Sequence, residues 1–331
     1  MPILFDKFRL AISSPCLMAI PDGEVPCLSA DIGDLNIITK FLTADYWKFK
    51  GKDDQCWTKG LAELEVTVSR NESDKPPDVV IALDGMRDIT HQSEYLRIRL
   101  PEYQTAALEV ANRVLRYFRF ELLTPGVRWI STWDQSLYTP TWYGETGNAL
   151  RGGTWIYVAQ PVHGLHGELG AKKLSRNELP DLQAFVASPT EPSLVTSLLS
   201  DAQTAWFEGS LRRAALELAI CTEVLVKRHF FAKATPAGAA FDYLEDKARV
   251  SVRVLELIDA VAEVAFGKSY KKNEPSNYLY IDQLFRCRNK IAHRGELSFR
   301  DDAGNVVIVD APMVESWWHA VFHLKQWLES L

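Results

Sequence analysis

The chain has 331 residues, 47% hydrophobic and 24% charged, with a formal net charge of −6. That length makes two domains with a sizeable core, and the composition is that of an ordinary soluble globular protein. An acidic total argues against a protein that coats nucleic acid nonspecifically, and no apolar run approaches the roughly 20 residues of a membrane span.

The N-terminus, Met1-Pro2-Ile3-Leu4-Phe5-Asp6, lacks the basic start and long apolar core of a secretory signal, so the expected compartment is the cytoplasm, with no membrane partner. Five cysteines (Cys16, Cys27, Cys56, Cys221 and Cys287) are scattered and never form a C-x-x-C pair. They read as buried thiols, with neither a disulfide framework nor a zinc ribbon.

Residues 1 to about 130 read as mixed α and β. Leu64 to Val68 alternates apolar and polar, and Asp78 to Asp84 reads as a short buried strand after the Pro76-Pro77 turn; both are expected in one sheet. Pro101 is expected to open a helix in which Ala107, Val110, Val114, Leu115 and Phe118 form an apolar stripe that packs on that sheet.

From Arg128 to Gly170 the chain is dense in Trp, Tyr, Thr and Gly, including Trp129, Trp133, Tyr138, Trp142, Tyr143, Trp155 and Tyr157. Such clusters can stack bases or sugars, but strands favour aromatics for packing alone, and that is the expected explanation. His163 and His166, flanked by glycines and without a third partner, read as a turn rather than a metal site.

The proline-rich segment Ser188 to Ser193 is the best boundary, giving a mixed α/β aromatic-rich domain over 1–188 and a helical domain over 189–331. Helices are expected from Ser193 to Glu208, from Ser210 to Arg228 with Ser210 as N-cap, around Ala240 to Arg249, and from Val252 to Phe266. A polar loop, Gly267 to Ser276, leads to a helix from Asn277 to Arg294. A β-hairpin over Leu297 to Asp310 precedes a closing amphipathic helix marked by Val314, Trp317, Trp318, Val321, Phe322 and Leu328. The fold class is thus an α+β N-terminal domain followed by an all-α helical bundle with a β-hairpin before the last helix.

Chemistry concentrates in Leu284 to Gly295. Ile281, Leu284, Phe285 and Ile291 recur at helical spacing and bury one face, while Asn289 and His293, four apart, share another. Arg286 points nearly the same way as His293; Arg288 lies off that line by more than a third of a turn, yet its long side chain can swing back. Arginine offers a charged fork matched to phosphate oxygens, and histidine transfers protons near neutral pH. That pairing suits phosphodiester cleavage without a metal or other cofactor. Cys287 has no partners in sequence to complete a nucleophilic triad.

The segment Arg288-Asn289-x-x-x-His293, late in a helix-rich region and followed by a Gly that can stop the helix, resembles the HEPN superfamily (higher eukaryotes and prokaryotes nucleotide-binding domains). That signature is an Arg, four to six residues, then a His, commonly with a polar residue directly after the Arg. The resemblance covers about residues 191–331. It implies a metal-independent endoribonuclease, a toxin or phage-defence effector, in which two protomers join their motif helices through the C-terminal domain and form one RNA-binding cleft. Arg288, Asn289 and His293 would be the catalytic set. Arg286 and Lys290 would support them from the same helix, and Glu223 and Lys227 from the long second helix, where Glu217 and Arg228 also lie. Two other readings stay open: a HEPN-like module that binds RNA or nucleotide without cutting, and a dimerising helical domain serving an N-terminal domain that senses a ligand or protein.

Overall fold

The computed structural model describes residues 2–12, 16–21, 23–50, 56–81, 86–131, 138–152, 172–231 and 253–331, with the backbone alone described at 44–50, 56–58, 138–139 and 151–152. The chain divides into two compact units, Met1–Glu191 and Pro192–Leu331.

The first unit runs β1 (Ile3–Ala11), β2 (Leu17–Pro21), β3 (Cys27–Ile32), β4 (Leu35–Lys50), β5 (Cys56–Asn71), β6 (Val80–Ile81), β7 (Arg87–Asp88), α1 (Thr90–Phe120), β8 (Tyr138–Tyr143), β9 (Ala149–Gly152), β10 (Leu174–Ser175) and α2 (Leu179–Ala187). The long β5 organises a largely antiparallel sheet. It pairs with β4 along one edge; β1 and β2 lie end to end along the other, Ala11 opposite Glu63 and Leu17 opposite Gly60. β8 pairs with β1 and β9 with β8, while β10 runs parallel to β2. β3 and β4 meet through a two-residue turn in which Gly33 has φ +62°, a conformation that costs glycine no Cβ clash.

Alternation decides the sheet's faces. Leu4, Asp6, Phe8 and Leu10 of β1, Ile37 and Phe41 of β4, and Leu64, Val66 and Val68 of β5 are all buried. Against them α1 lays Ala107, Val110, Ala111, Val114, Leu115 and Phe118, which form one core with the strands.

The start of α1 differs from the sequence expectation. Pro101 lies inside α1, eleven residues after its first residue Thr90, although it removes one backbone donor. Tertiary contacts hold the extra turns: Tyr95 Oη donates to Asp74 O at 2.8 Å, Arg99 Nε to Glu72 at 3.0 Å and Gln92 Nε2 to Pro77 O at 3.1 Å. The expected strand over 78–84 is also corrected. Only Val80–Ile81 is extended, 56% and 70% exposed, and it pairs with β7 in a separate two-stranded ladder; residues 82–84 lie outside the described residues.

The second unit is mostly helical: α3 (Leu194–Phe207), α4 (Leu211–Phe230), α5 (254–266, with a wider π turn at Leu257–Val261), α6 (Tyr270–Asn273), α7 (Pro275–Arg294), the hairpin β11 (Ser298–Arg300) and β12 (Val306–Ile308), and α8 (Ala311–Glu329). Ser193 caps α3 by accepting from Thr196 N, whereas Ser210 precedes α4 without a side-chain cap. The helix expected at 240–249 lies outside the described residues. The expected polar loop 267–276 instead contains α6, because Tyr270 is a core residue. It is fully buried, packs on Trp327 at 5.1 Å and donates to Ala320 O. Val314, Trp317, Trp318 and Val321 of α8 are buried as the periodicity predicts. No described helix is long and apolar enough to cross a membrane.

Candidate functional site

Local sequence makes α7 a helix with one buried side. Pro275 stands in its first turn, Ile281, Leu284, Cys287 and Ile291 are buried at spacings of three and four, and Gly295 ends it at φ +68°. Burial pushes the Cys287 thiol up to about 11, which keeps it protonated and inert at neutral pH.

The polar residues of α7 divide into two groups. Arg286 is spent on structure: its guanidinium reaches Asp282 at 2.6 Å, one turn back, and Asp302 at 2.8 Å in the hairpin turn, and it donates to Arg300 O at 3.3 Å. Lys290 reaches Glu296 at 3.3 Å across the Gly295 turn. Both supporting residues therefore tie the end of α7 to the next stretch of chain.

Arg288, Asn289 and His293 form the other group. Arg288 is half-buried, and its Nη1 donates to Asn289 Oδ1 at 3.2 Å. Its Nη2 lies 3.9 Å from Glu223 Oε2 on α4, and Glu223 Oε1 takes Lys227 Nζ at 3.0 Å. One carboxylate thus stands between two cations on neighbouring helices. Contacts so exposed contribute at most about 1 kcal/mol each. His293 is exposed, one turn after Asn289, and its side chain makes no hydrogen bond or ion pair with another described residue. The fold therefore brings Arg288, Asn289, Glu223 and Lys227 together, with His293 on the outer end of the same helix. Glu217 belongs elsewhere, paired with Arg213 at 2.7 Å.

The aromatic-rich segment reads differently in three dimensions. Trp142 is buried and packs on Tyr103 of α1 at 5.0 Å, and Tyr143 stacks on Phe5 at 5.6 Å. Trp129 is 41% exposed and packs near Phe120 and the Arg119 guanidinium. Trp133, Trp155, Tyr157, His163 and His166 lie outside the described residues. Among the described residues no three His, Cys, Asp or Glu side chains are grouped to hold a metal ion.

A cavity of about 950 Å3 opens between the first turns of α1 and β8, lined by Ile89, Thr90, His91, Ser93, Leu96, Leu100, Pro140 and Trp142 among others. No sequence motif marks it. The available signal was the stripe Ile89, Ser93, Leu96, Leu100 at helical spacing, which starting the helix at Pro101 conceals. No family model, curated protein or solved structure matches the chain.

Proposed function

We propose that the second unit is a HEPN-type endoribonuclease that cleaves RNA without a metal ion. The observation that carries the reading is the division of labour on α7. Arg286 and Lys290 are held in ion pairs with the next stretch of chain, while Arg288 and Asn289 share one hydrogen bond beside Glu223 and His293 stands exposed one turn further along the same helix. In the reaction the ribose 2′-oxygen attacks the phosphorus, one imidazole takes its proton, and a second imidazolium protonates the departing 5′-oxygen. The products are a 2′,3′-cyclic phosphate and a 5′-hydroxyl. One chain offers a single histidine in this set, so a homodimer joined through this unit supplies the second. Arg288 holds the phosphate and meets the charge that grows on its oxygens; Asn289 positions the Arg288 fork through its Oδ1.

The test is RNA cleavage by the full chain in the presence of a chelator, with His293→Ala and Arg288→Ala beside it. His293→Ala should abolish turnover and leave most of the RNA affinity intact, because the phosphate is held by Arg288 while the imidazole moves the proton. Arg288→Ala should weaken affinity and lower kcat by about 10²–10³, the loss typical of one oxyanion donor. Cleavage that a chelator abolishes, or that both variants retain, overturns the reading. RNA binding that depends on Arg288 without any cleavage favours the non-cutting module.

A further inference from the structure

We propose that the outer face of α8 in the second unit carries a binding site for a transition-metal dication of the zinc or nickel kind, chelated by His319 and His323 with Glu315 behind His319. The inference stands apart from the ribonuclease reading, because it uses none of the residues assigned to cleavage.

Spacing makes the pair. His319 and His323 stand four apart within a 19-residue helix, so their Cβ atoms lie about 5–6 Å apart on one face. Zinc takes imidazole nitrogen at about 2.0–2.1 Å, which sets two such nitrogens about 3.3 Å apart in a tetrahedral shell, and rings one turn apart can lean together to that separation. Two histidines at i and i+4 supply two ligands of helical zinc sites in the same way.

What lies beneath holds the pair steady. Val314, Trp317, Trp318, Val321 and Leu324 bury the opposite side of α8, and the His319 ring stands edge-on to Trp318 with centroids 5.3 Å apart. Trp318 is 3% exposed and its indole N–H donates to Leu199 O at 3.3 Å, so the ring that braces His319 is itself fixed. A ligand held in place before the ion arrives loses less freedom on binding.

The neighbouring groups suit a cation. His319 and His323 are both exposed, and the His323 side chain makes no hydrogen bond or ion pair with another described residue. Glu315 Oε1 stands 4.0 Å from His319 Nε2, one turn before it and on the side away from His323. A small side-chain rotation lets that carboxylate accept from Nε2–H, which orients the ring and leaves Nδ1 for the metal. Lys325, the cation of α8, reaches Glu329 at 3.5 Å. Glu315 and His323 are about 12 Å apart along the helix axis, too far for both to reach one ion beside His319, so the chain supplies two ligands and water completes the shell. Two imidazole nitrogens select Zn²⁺ or Ni²⁺ over Mg²⁺ or Ca²⁺, which take oxygen ligands.

The experiment is calorimetric titration of the full chain, stripped with a chelator and dialysed, with ZnCl2, NiCl2 and MgCl2. At least one of Zn²⁺ and Ni²⁺ should saturate with a Kd below about 100 μM, and Mg²⁺ should bind at least about a hundredfold more weakly. His319→Ala and His323→Ala should each weaken that binding at least about tenfold, and Glu315→Gln at least about threefold. His319→Gln and His323→Gln repeat the test should an alanine variant not fold. The proposal is overturned if neither Zn²⁺ nor Ni²⁺ saturates below about 100 μM, if any of the folded variants binds as well as the parent, or if Mg²⁺ binds as tightly as Zn²⁺. The readout is binding, so it does not depend on whether the chain cleaves RNA.

Discussion

Arg286 and Arg288 stand two positions apart on one helix, and their surroundings assign them different work. Arg286 joins α7 to the β11–β12 turn through Asp282 and Asp302, so Arg286→Ala should lower the stability of the second unit by about 1 kcal/mol, while Arg288→Ala changes it by less than about 0.5 kcal/mol. Denaturant titration of both variants reads this directly. Equal stabilities, with activity lost only in Arg286→Ala, would move the phosphate contact to Arg286. In the first unit Asp6 is the exceptional residue. It is fully buried on the α1 side of β1, and neither carboxyl oxygen reaches hydrogen-bond geometry with any group. Burial pushes its pKa up to about 8, with the nearby backbone amides of Thr141 and Lys7 offsetting part of the shift. A folded-state pKa above the unfolded value means the folded form holds the proton. Stability associated with Asp6 is therefore greatest below about pH 4, falls by up to about 1.4 kcal/mol per pH unit between about 4 and 8, and levels off above. Asp6→Asn should match the parent protein's thermal midpoint near pH 4 and exceed it increasingly toward pH 8; parallel profiles would show that the carboxyl is not held neutral.

Among the elements, α1 shows how packing overrules a local breaker. A proline in a helix interior costs about 3 kcal/mol, yet α1 continues through Pro101 because its first turns are pinned to the segment after β5 by Tyr95, Arg99 and Gln92. Pro101→Ala restores the missing N–H at an exposed site and should raise the thermal midpoint, with a gain on the order of 1 kcal/mol after the extra freedom of the unfolded chain is subtracted. A drop would mean that the backbone angle proline fixes at 101 is needed for the contacts around Glu72. The helix α7 is the opposite case. Its apolar spacing and its closing glycine are local signals, so Ile281, Leu284 and Ile291 were legible as buried, whereas Phe285, expected beside them, is only half-buried. The contact of Arg288 with Glu223 was not, because it joins residues 65 apart on two helices and depends on how α4 and α7 pack.

At the scale of the whole molecule, the proposed chemistry needs two copies of the second unit. Sedimentation of the full chain at micromolar concentration should show a dimer, and mixing inactive His293→Ala with inactive Arg288→Ala should not restore more than a minor share of activity if each cleft draws on both motifs. A monomer that cleaves RNA at full rate would remove the two-histidine mechanism. The division between Glu191 and Pro192 falls within the proline-rich segment that composition marks, and the helical character of the second unit was readable from periodicity. So were the alternating core positions of Leu64, Val66 and Val68, since a strand with one buried face imposes a period of two on its own sequence. Other features were decided only by tertiary structure. β1 and β2 share one edge of β5, Tyr270 enters the core from a polar segment, Arg286 is tied to a hairpin carboxylate while Arg288 faces Glu223 of α4, and Pro140 and Trp142 come to lie beside the first turns of α1. Local signals report the environment of a residue's own turn or strand. Partners distant in the chain are chosen by how those elements pack, and no single segment of the sequence carries that choice.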